Sequence, residues 1–161
     1  MRDDLGVVMP EDGEEEAGGE ERGSADAYRV DQQIGYFLRQ ANQRHVALFG
    51  ERMEERLTTT QWAALTKLHE LGPTSQNQLG RVTAMDVATI KGVVDRLIAR
   101  GYVASAPDPT DGRRLVLSVS EVGQAAIRRN LSAAMDVSDA TLSPLTSGER
   151  QMLIELLKKI C

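Results

Sequence analysis

Apolar residues recur at three- and four-residue steps along most of this 161-residue chain, which is the spacing of one face of an α-helix. The first such pattern predicts a long helix over residues 28–56. Its apolar stripe consists of Ile34, Phe37, Leu38, Ala41, His45, Leu48 and Phe49. A second helix is predicted after Thr58, because Thr58 and Gln61 have the spacing of a capping box. Leu-Gly-Pro at 71–73 ends it.

The same periodicity predicts four further helices. A short one begins at Ser75, and a longer one occupies about 86–100. The inward-facing residues of the longer helix are Ile90, Val93, Val94, Leu97 and Ile98. A fifth helix is predicted over about 120–141, and a last one begins at Thr146. The last helix carries the stripe Leu153, Leu156, Leu157 and Ile160.

Two β-like runs, 102–106 and 114–119, separate the fourth helix from the fifth. Pro107 and Pro109 cannot donate to a strand ladder, so we expect a loose edge hairpin with a protruding tip. The tip, D-P-T-D-G-R-R at 108–114, is longer than a tight Asp-Gly hairpin requires. We expect it to present arginine to DNA; the alternative is an ordinary solvated turn.

The order of elements predicts a mainly α fold with a small β-hairpin wing. Residues 58–119 form a winged helix-turn-helix. The long helices on either side, in 27–57 and 120–161, have more apolar surface than this small module covers. We therefore expect them to be dimerisation helices that bury their stripes against a second copy of the chain.

Charge divides the chain unevenly. Residues 1–26 hold ten acids and two bases, net −8, whereas the remaining 135 residues hold 14 acids and 17 bases, net +3. Such an acidic segment has too little apolar surface to fold, so we expect a disordered tail. The tail either aids solubility or competes with DNA for the basic face.

The chain contains no apolar run long enough for a transmembrane helix, and its first residues do not have the pattern of a secretory signal. Its single cysteine cannot form an internal disulfide. These features favour a cytoplasmic protein without membrane association. The sequence also lacks a metal-ligand motif, a phosphate-binding glycine loop and a nucleophile–base pattern, so we expect no cofactor, no metal and no enzymatic activity.

Three segments in this order resemble the MarR family of bacterial transcription regulators. They are L-T-T-T-Q-W-A-A-L-T-K-L at 57–68, V-A-T-I-K-G-V-V-D-R-L-I-A-R-G at 87–101, and D-P-T-D-G-R-R at 108–114 leading into S-E-V-G at 120–123. The resemblance covers roughly residues 30–161. It departs at Val119-Ser120, where the family often has Leu-Thr, but serine also caps helices well.

The resemblance implies that the helix starting at Asp86 enters the major groove and that the wing arginine, here Arg113, reaches the minor groove. A guanidinium suits the negative potential of a narrow minor groove. Asp111 lies two residues earlier, and we expect it to orient that guanidinium through a charge-assisted pair.

The face of the fourth helix opposite its apolar stripe supplies the predicted base and backbone contacts. Small residues near its start would allow close approach to the groove, while Thr89 and Lys91 offer groups for base edges or phosphates. The predicted contact residues on this helix are Ala88, Thr89, Lys91, Gly92 and Arg96. At the start of the short helix, Ser75, Gln76 and Asn77 are predicted phosphate contacts. The alternative is a solvated surface without a partner.

The resemblance further implies a homodimeric repressor whose affinity for operator DNA is lowered by a small aromatic or phenolic effector, such as an aromatic acid or its thioester. The candidate ligand-binding residues are Tyr36, Arg44, His45 and Trp62. Arg44 or His45 would pair with a carboxylate. Two alternatives are a redox-sensing regulator that uses Cys161 and an architectural DNA-binding module without a ligand.

Overall fold

Six α-helices and one antiparallel pair of strands make up the computed structural model over residues 28–161, the part of the chain that it describes. The helices are α1 (Ile34–Arg52), α2 (Thr59–Leu71), α3 (Gln76–Val82), α4 (Val87–Ala99), α5 (Glu121–Thr141) and α6 (Ser147–Lys158). The strands β1 (Val103–Pro107) and β2 (Leu115–Val119) lie between α4 and α5. This order confirms the mainly helical fold with a hairpin wing. The predicted acidic tail, 1–26, lies outside the described residues.

The prediction of one continuous helix over 28–56 is wrong at both ends. A short 3₁₀ turn, Val30–Gln32, precedes α1, and Met53 ends α1 in an extended conformation. A second 3₁₀ turn follows, in which Glu55 has a left-handed φ of 64°. Met53 and Leu57 are both buried. Because they continue the apolar spacing beyond α1, periodicity alone does not reveal where the helix stops.

Side-chain caps fix the start of five helices. Each cap oxygen accepts a hydrogen bond from the backbone N–H three residues later, which satisfies a donor that the helix itself leaves unpaired. Capping boxes form at the starts of α2 and α6, and the first is the one that Thr58 and Gln61 predicted, whereas Ser75 and Gln78, which have the same spacing, form no box. The cap residues are Thr58, Ser75, Asp86, Ser120 and Thr146.

Two clusters of buried apolar side chains hold the helices together. The larger one joins α2, α3, α4, both strands and the first half of α5. The smaller one contains Phe49, Met53 and Val137, and it therefore joins the end of α1 to the second half of α5. Trp62 packs against both clusters. The predicted inward residues of α4 are buried except Ile98, which is exposed because it lies at the edge of the stripe.

A third segment, which the sequence did not predict, pairs with the wing hairpin. Val103 pairs with Val119 and Pro107 with Leu115 in the β1–β2 register. In addition, the N–H of Leu117 donates to the carbonyl of Thr74 at 2.8 Å, and the N–H of Thr74 donates back at 3.1 Å. This bridge ties the segment that precedes α3 to the base of the wing.

Large apolar side chains remain exposed on α1 and α6 of the single chain. On α6 the apolar groove has a volume of about 410 Å³ and is lined by Leu145, Gly148, Met152, Leu153 and Leu156, with Glu149 as its one charged residue. The exposed residues on α1 include Ile34, Phe37 and Leu38.

None of the helices between residues 28 and 161 combines the length and apolar character needed to cross a membrane.

Gly123 should be irreplaceable at the start of α5. A Cβ there would overlap the carbonyl oxygen of Tyr102 and lie 2.8 Å from Cγ1 of Val119. We expect Gly123→Ala to lower the free energy of unfolding by about 1–3 kcal/mol, because overpacking outweighs the gain in helix propensity. Gly50→Ala in α1 is the control, since nothing lies within 4 Å of its Cβ position. Equal urea midpoints for the two variants would contradict this close approach.

Candidate nucleic-acid interface

Helices α3 and α4 meet across a small residue and a tight turn. A Cβ on Gly80 would lie 3.1 Å from Cγ2 of Ile90, so only glycine permits this separation without displacement. Ala84, in the turn between the helices, adopts a left-handed φ of 52°. Leu79 and Ile90 are fully buried at the contact. The predicted helix-turn-helix is therefore closely packed, and α4 presents its other face outward.

Asp86 holds the first turn of α4 with both carboxylate oxygens. One accepts the N–H of Thr89 at 2.8 Å, and the other accepts the Thr89 hydroxyl at 2.6 Å. These two hydrogen bonds hold the pKa of Asp86 below its usual value, and the one from the Thr89 hydroxyl contributes most. Because its single hydroxyl hydrogen is engaged, Thr89 presents acceptor lone pairs to an incoming partner.

The outward face of α4 carries the residues that the sequence placed there. Lys91 Nζ lies 2.7 Å from a carboxylate oxygen of Asp95, one turn later. The Arg96 guanidinium folds back to within 3.7 Å of the Cβ position of Gly92. Apart from the half-buried Gly92, the predicted contact residues of α4, Ala88, Thr89, Lys91 and Arg96, are exposed.

Val87 belongs to the same surface and was not predicted. It is the first residue of α4 and is 73% exposed, which is unusual for valine. It precedes the buried Ile90 by three residues and Val94 by seven, so the apolar spacing predicts burial and gives no signal for its exposure. An exposed aliphatic group at the start of a reading helix is suited to contact a thymine methyl group.

The predicted pairing of Asp111 with the Arg113 guanidinium is wrong. Asp111 pairs instead with Nε of Arg114 at 3.2 Å, and its other oxygen accepts the backbone N–H of Arg113 at 3.2 Å. The reason is the closure of the tip, in which the N–H of Arg114 donates to the carbonyl of Asp111 at 2.9 Å. Within residues 28–161 the Arg113 side chain has no hydrogen-bond or ion-pair partner, so it is available at the tip.

Asp108 closes the wing tip from the other side. Its side chain accepts the N–H and the hydroxyl of Thr110, each at 2.7 Å, and its own N–H donates to the carbonyl of Arg114 at 2.8 Å. The hydroxyl hydrogen bond from Thr110 contributes most to lowering the pKa of Asp108. The tip is thus a hydrogen-bonded loop that holds Arg113 and Arg114 in place.

Two neighbouring concavities join these elements into one surface, which we call the reading surface. The first, about 440 Å³, is lined by Ser75, Gln76, Asn77, Arg81, Arg114 and Leu115. The second, about 270 Å³, lies between α3 and the start of α4 and is lined by Asn77, Gly80, Arg81, Met85, Asp86, Val87 and Ile90. The start of α3 and the wing therefore lie together, and Arg114 rather than Arg113 lines their shared concavity.

Arg81 lines both concavities and was missed. Its guanidinium donates to the side-chain carbonyl of Gln78 at 2.6 Å. It lies four residues after Asn77, a predicted phosphate contact, and therefore on the same helix face. The four-residue spacing from Asn77 is the sequence signal that identifies Arg81 as part of this surface.

The residues predicted to bind a ligand do not all lie together. Arg44 donates to the carbonyls of Ala140 and Thr141 at 3.0 and 3.3 Å, and so caps the end of α5. The Thr141 hydroxyl donates to Val137 at 2.7 Å, so it accepts the proton of His45 Nδ1, which lies 3.1 Å away. In the neutral ring the other nitrogen of His45, Nε2, is then an acceptor.

His45 and Trp62 border the smaller core cluster, whereas Tyr36 does not. The His45 ring lies 6.2 Å from that of Phe49, a member of this cluster. Tyr36 is nine residues before His45, or about 13 Å along α1. It packs edge-on against Phe37 at 5.9 Å, with the Arg39 guanidinium 5.7 Å from its ring.

Asn130 on α5 is a buried polar residue that sequence reasoning overlooked. Its amide nitrogen donates to the carbonyl of Ala126 at 2.9 Å, but its oxygen has no partner among the described residues. It lies along α5 between Ile127 of the larger cluster and Val137 of the smaller one. A buried acceptor without a donor is destabilising, and a bound molecule could supply that donor.

Residues 28–161 contain few groups suited to redox sensing or metal binding. Cys161 is exposed, as a reactive thiol needs to be, and it is the chain's single cysteine. No group of three or more histidine, cysteine or acidic side chains within residues 28–161 is arranged to hold a metal ion.

Comparison with known proteins gives a consistent result. A sequence model of the MarR family matches residues 57–115, from just before α2 to the start of β2. The HTH-type transcriptional repressor NicR of Pseudomonas putida is 39% identical over 134 residues, which cover 83% of this chain and 85% of NicR. The similarity therefore extends well beyond the segment that the family model matches.

Two solved structures resemble the whole described fold. A probable transcriptional regulator from Pseudomonas aeruginosa superposes with a TM-score of 0.80 and 52% identity, covering 83% of this chain and 100% of that one. Bordetella bronchiseptica BpsR, whose DNA binding is regulated by 6-hydroxynicotinic acid, has a TM-score of 0.78 and 34% identity. That match covers 83% of this chain and 96% of BpsR.

Arg113→Ala should weaken operator binding by roughly 1–3 kcal/mol, because the free guanidinium at the wing tip is lost from its groove. Affinity is measured by fluorescence anisotropy at one fixed salt concentration. Arg128→Ala is the control, since Arg128 is exposed on α5, outside the wing. If the two variants bind equally well, the wing arginine does not contact DNA.

Proposed function

The chain belongs to the MarR family of DNA-binding transcription regulators, and from this premise we propose that it is a homodimeric, sequence-specific repressor that a small aromatic acid or its thioester releases from its operator. The observation that carries the proposal is the reading surface, in which the start of α3 meets the start of α4 on one side and the base of the wing on the other. As a regulator of bacterial genes it would act in the cytoplasm, where the chromosome lies.

The roles of the reading-surface residues follow from their positions. Thr89, Lys91 and Val87 at the start of α4 contact base edges in the major groove. Arg81 and Arg114 join the predicted phosphate contacts at the start of α3. Their charges attract the phosphates of any DNA sequence equally. Arg113 enters the adjacent minor groove, where no acid of its own tip competes for it.

The exposed apolar residues of α1 and α6 support a dimer. Several large apolar side chains on these helices lie open in the single chain, and the apolar groove lies on α6. Burying them against a second copy would remove this apolar surface from water. A twofold dimer would then place two copies of α4 about one helical turn apart along the DNA.

The ligand is proposed to bind where α1, α2 and α5 meet at the smaller core cluster. Three features support this position: the open acceptor of His45, the half-buried Trp62 ring, and the unpartnered buried oxygen of Asn130. A hydroxyl-bearing aromatic acid would donate to Asn130 and stack on apolar side chains. That BpsR responds to 6-hydroxynicotinic acid favours the same class of ligand for this chain.

Release from DNA would arise through the helix that both regions share. α5 contributes Ile127 to the core of the reading module and Val137 to the cluster beside α1. A ligand lowers DNA affinity only if it binds more tightly to a dimer shape that fits the operator poorly. The Arg44 contacts with the end of α5 would be rearranged in such a shape.

Charges placed in the apolar groove of α6 should disrupt the dimer. Met152→Glu with Leu156→Glu puts two carboxylates where the partner's apolar residues pack, so we expect a monomer in sedimentation velocity. Ser147→Glu lies on the opposite face of α6 and should leave the dimer intact. A charged-groove variant that remains dimeric would place the interface elsewhere.

Ligand and operator should weaken each other's binding by the same factor. A 100-fold loss of DNA affinity corresponds to about 2.7 kcal/mol of coupling, and linkage requires that operator lower ligand affinity equally. We would screen 6-hydroxynicotinic acid, other aromatic acids and their coenzyme A thioesters by thermal shift, then titrate each hit with and without operator. Identical ligand affinities in both titrations would exclude this mechanism.

Asn130→Leu is the matched variant for that experiment. It removes the buried oxygen while keeping the branched shape of the side chain, and Asn130 lies outside the reading surface, so the free protein should bind operator as before. Ligands that carry a hydroxyl should bind more weakly to it, whereas an acid without one should be unaffected. Equal loss for both ligands would show that Asn130 does not contact the hydroxyl.

A further inference from the structure

The Glu55 side chain joins four segments of the molecule. Its carboxylate accepts the hydroxyl of Tyr102 at 2.7 Å and Nε of Arg129 at 2.9 Å, and its backbone carbonyl accepts the Arg100 guanidinium. The Arg100 guanidinium also donates to the Tyr102 hydroxyl at 3.0 Å. The reading surface does not include any of these residues.

The partners of Glu55 lie on different structural elements. Arg100 is the C-cap of α4, and Tyr102 immediately precedes β1 of the wing. Arg129 lies in the first half of α5, the helix that continues alongside α1. Glu55 itself belongs to the segment that connects α1 to α2. Glu55 thus links the base of the wing to α5 through its side chain, and the end of α4 to the α1–α2 connection through its backbone carbonyl.

The backbone at this junction adopts an unusual conformation. Glu55 and Arg56 have φ angles of 64° and 51°, a left-handed pair without glycine. Such conformations persist where surrounding contacts hold them, and they concentrate at positions where geometry serves a function. Here the contacts that hold the backbone are the Glu55 hydrogen bonds themselves.

We propose that Glu55 is a positioning residue for DNA recognition, which fixes the orientation of α4 and the wing relative to the dimer helices and thereby sets the half-site spacing that the dimer accepts. This inference rests on the proposed function. A dimer reads two half-sites with two copies of α4. The angle between each α4 and the dimerisation helices of its own chain therefore decides where the second half-site must lie.

The charge of Glu55 is what makes the link strong. Partial burial raises the pKa of its carboxyl, but hydrogen bonds from Arg129 and Tyr102 outweigh that effect and leave the pKa below its ordinary value. The group is therefore ionised at neutral pH and accepts charge-assisted hydrogen bonds, which are the stronger kind. Glutamine in its place has nearly the same shape but only one neutral acceptor oxygen.

The test measures spacing preference rather than affinity alone. An operator is first selected from random duplex DNA with the wild-type protein, and variants are then made with one base pair inserted or deleted between the half-sites. Each change moves a half-site by about 3.4 Å and rotates it by about 34°. We expect wild type to lose at least roughly tenfold in affinity, and Glu55→Gln to lose about threefold or less.

Two controls separate positioning from folding. Glu54→Gln removes the same charge one residue earlier, and Glu54 takes part in none of these hydrogen bonds, so its spacing preference should match wild type. Arg129→Gln breaks the same link from α5 and should relax the preference as Glu55→Gln does, with no further change in the double variant. Affinity for a duplex with a single half-site should stay unchanged in all of them.

The outcomes are distinct. A merely structural role would lower the unfolding midpoint and weaken binding to every operator by the same factor, and that result would overturn the inference. A wild-type protein that accepts all spacings equally would overturn it as well. If wild type selects no sequence from the pool, the proposed function itself fails. A relaxed spacing preference in both Glu55→Gln and Arg129→Gln, with half-site affinity retained, supports it.

Discussion

Burial of one face of α4 is the interaction on which the rest of the reading surface depends. Ile90, Val93, Val94 and Leu97 are each buried to at least 97%. At about 1.5–3 kcal/mol for each side chain, this stripe contributes on the order of 6–12 kcal/mol before the entropy cost of folding. An exposed ion pair such as Lys91–Asp95 is worth less than about 1 kcal/mol. The core therefore decides which way α4 faces, and the surface charges only decide what it presents.

The reading surface is less positive than its arginines suggest. Lys91 faces Asp95, Arg114 faces Asp111, and Arg81 donates to Gln78, so these three cations, unlike Arg113, each have a neighbour in the free protein. A phosphate must compete with these neighbours before it gains the full attraction of the charge. Because that competition weakens contacts with any DNA, it limits binding that depends on phosphates alone. Base-edge contacts then make up a larger share of the total.

Local signals in the sequence predicted most of the architecture, because capping residues and apolar periodicity act within a few residues. The starts of α2, α4 and α6 follow from Thr58, Asp86 and Thr146 in this way. The contacts that were missed or wrong join distant segments or depend on loop closure. The bridge between Thr74 and Leu117, the pairing of Glu55 with Arg129, and the choice of Arg114 over Arg113 by Asp111 belong to this class. No spacing rule distinguishes these partners before the chain is folded.

Helix α5 runs without interruption for 21 residues, which corresponds to a rod about 30 Å long. One end is packed into the module that holds the wing, and the other is clasped by Arg44 at the carbonyls of Ala140 and Thr141. A stiff rod of this length is a lever. Tilting it by roughly six degrees about one end displaces the other by about 3 Å, close to the rise of one base pair. A rearrangement no larger than a side-chain rotamer change is therefore mechanically sufficient to shift a reading helix out of step with its groove.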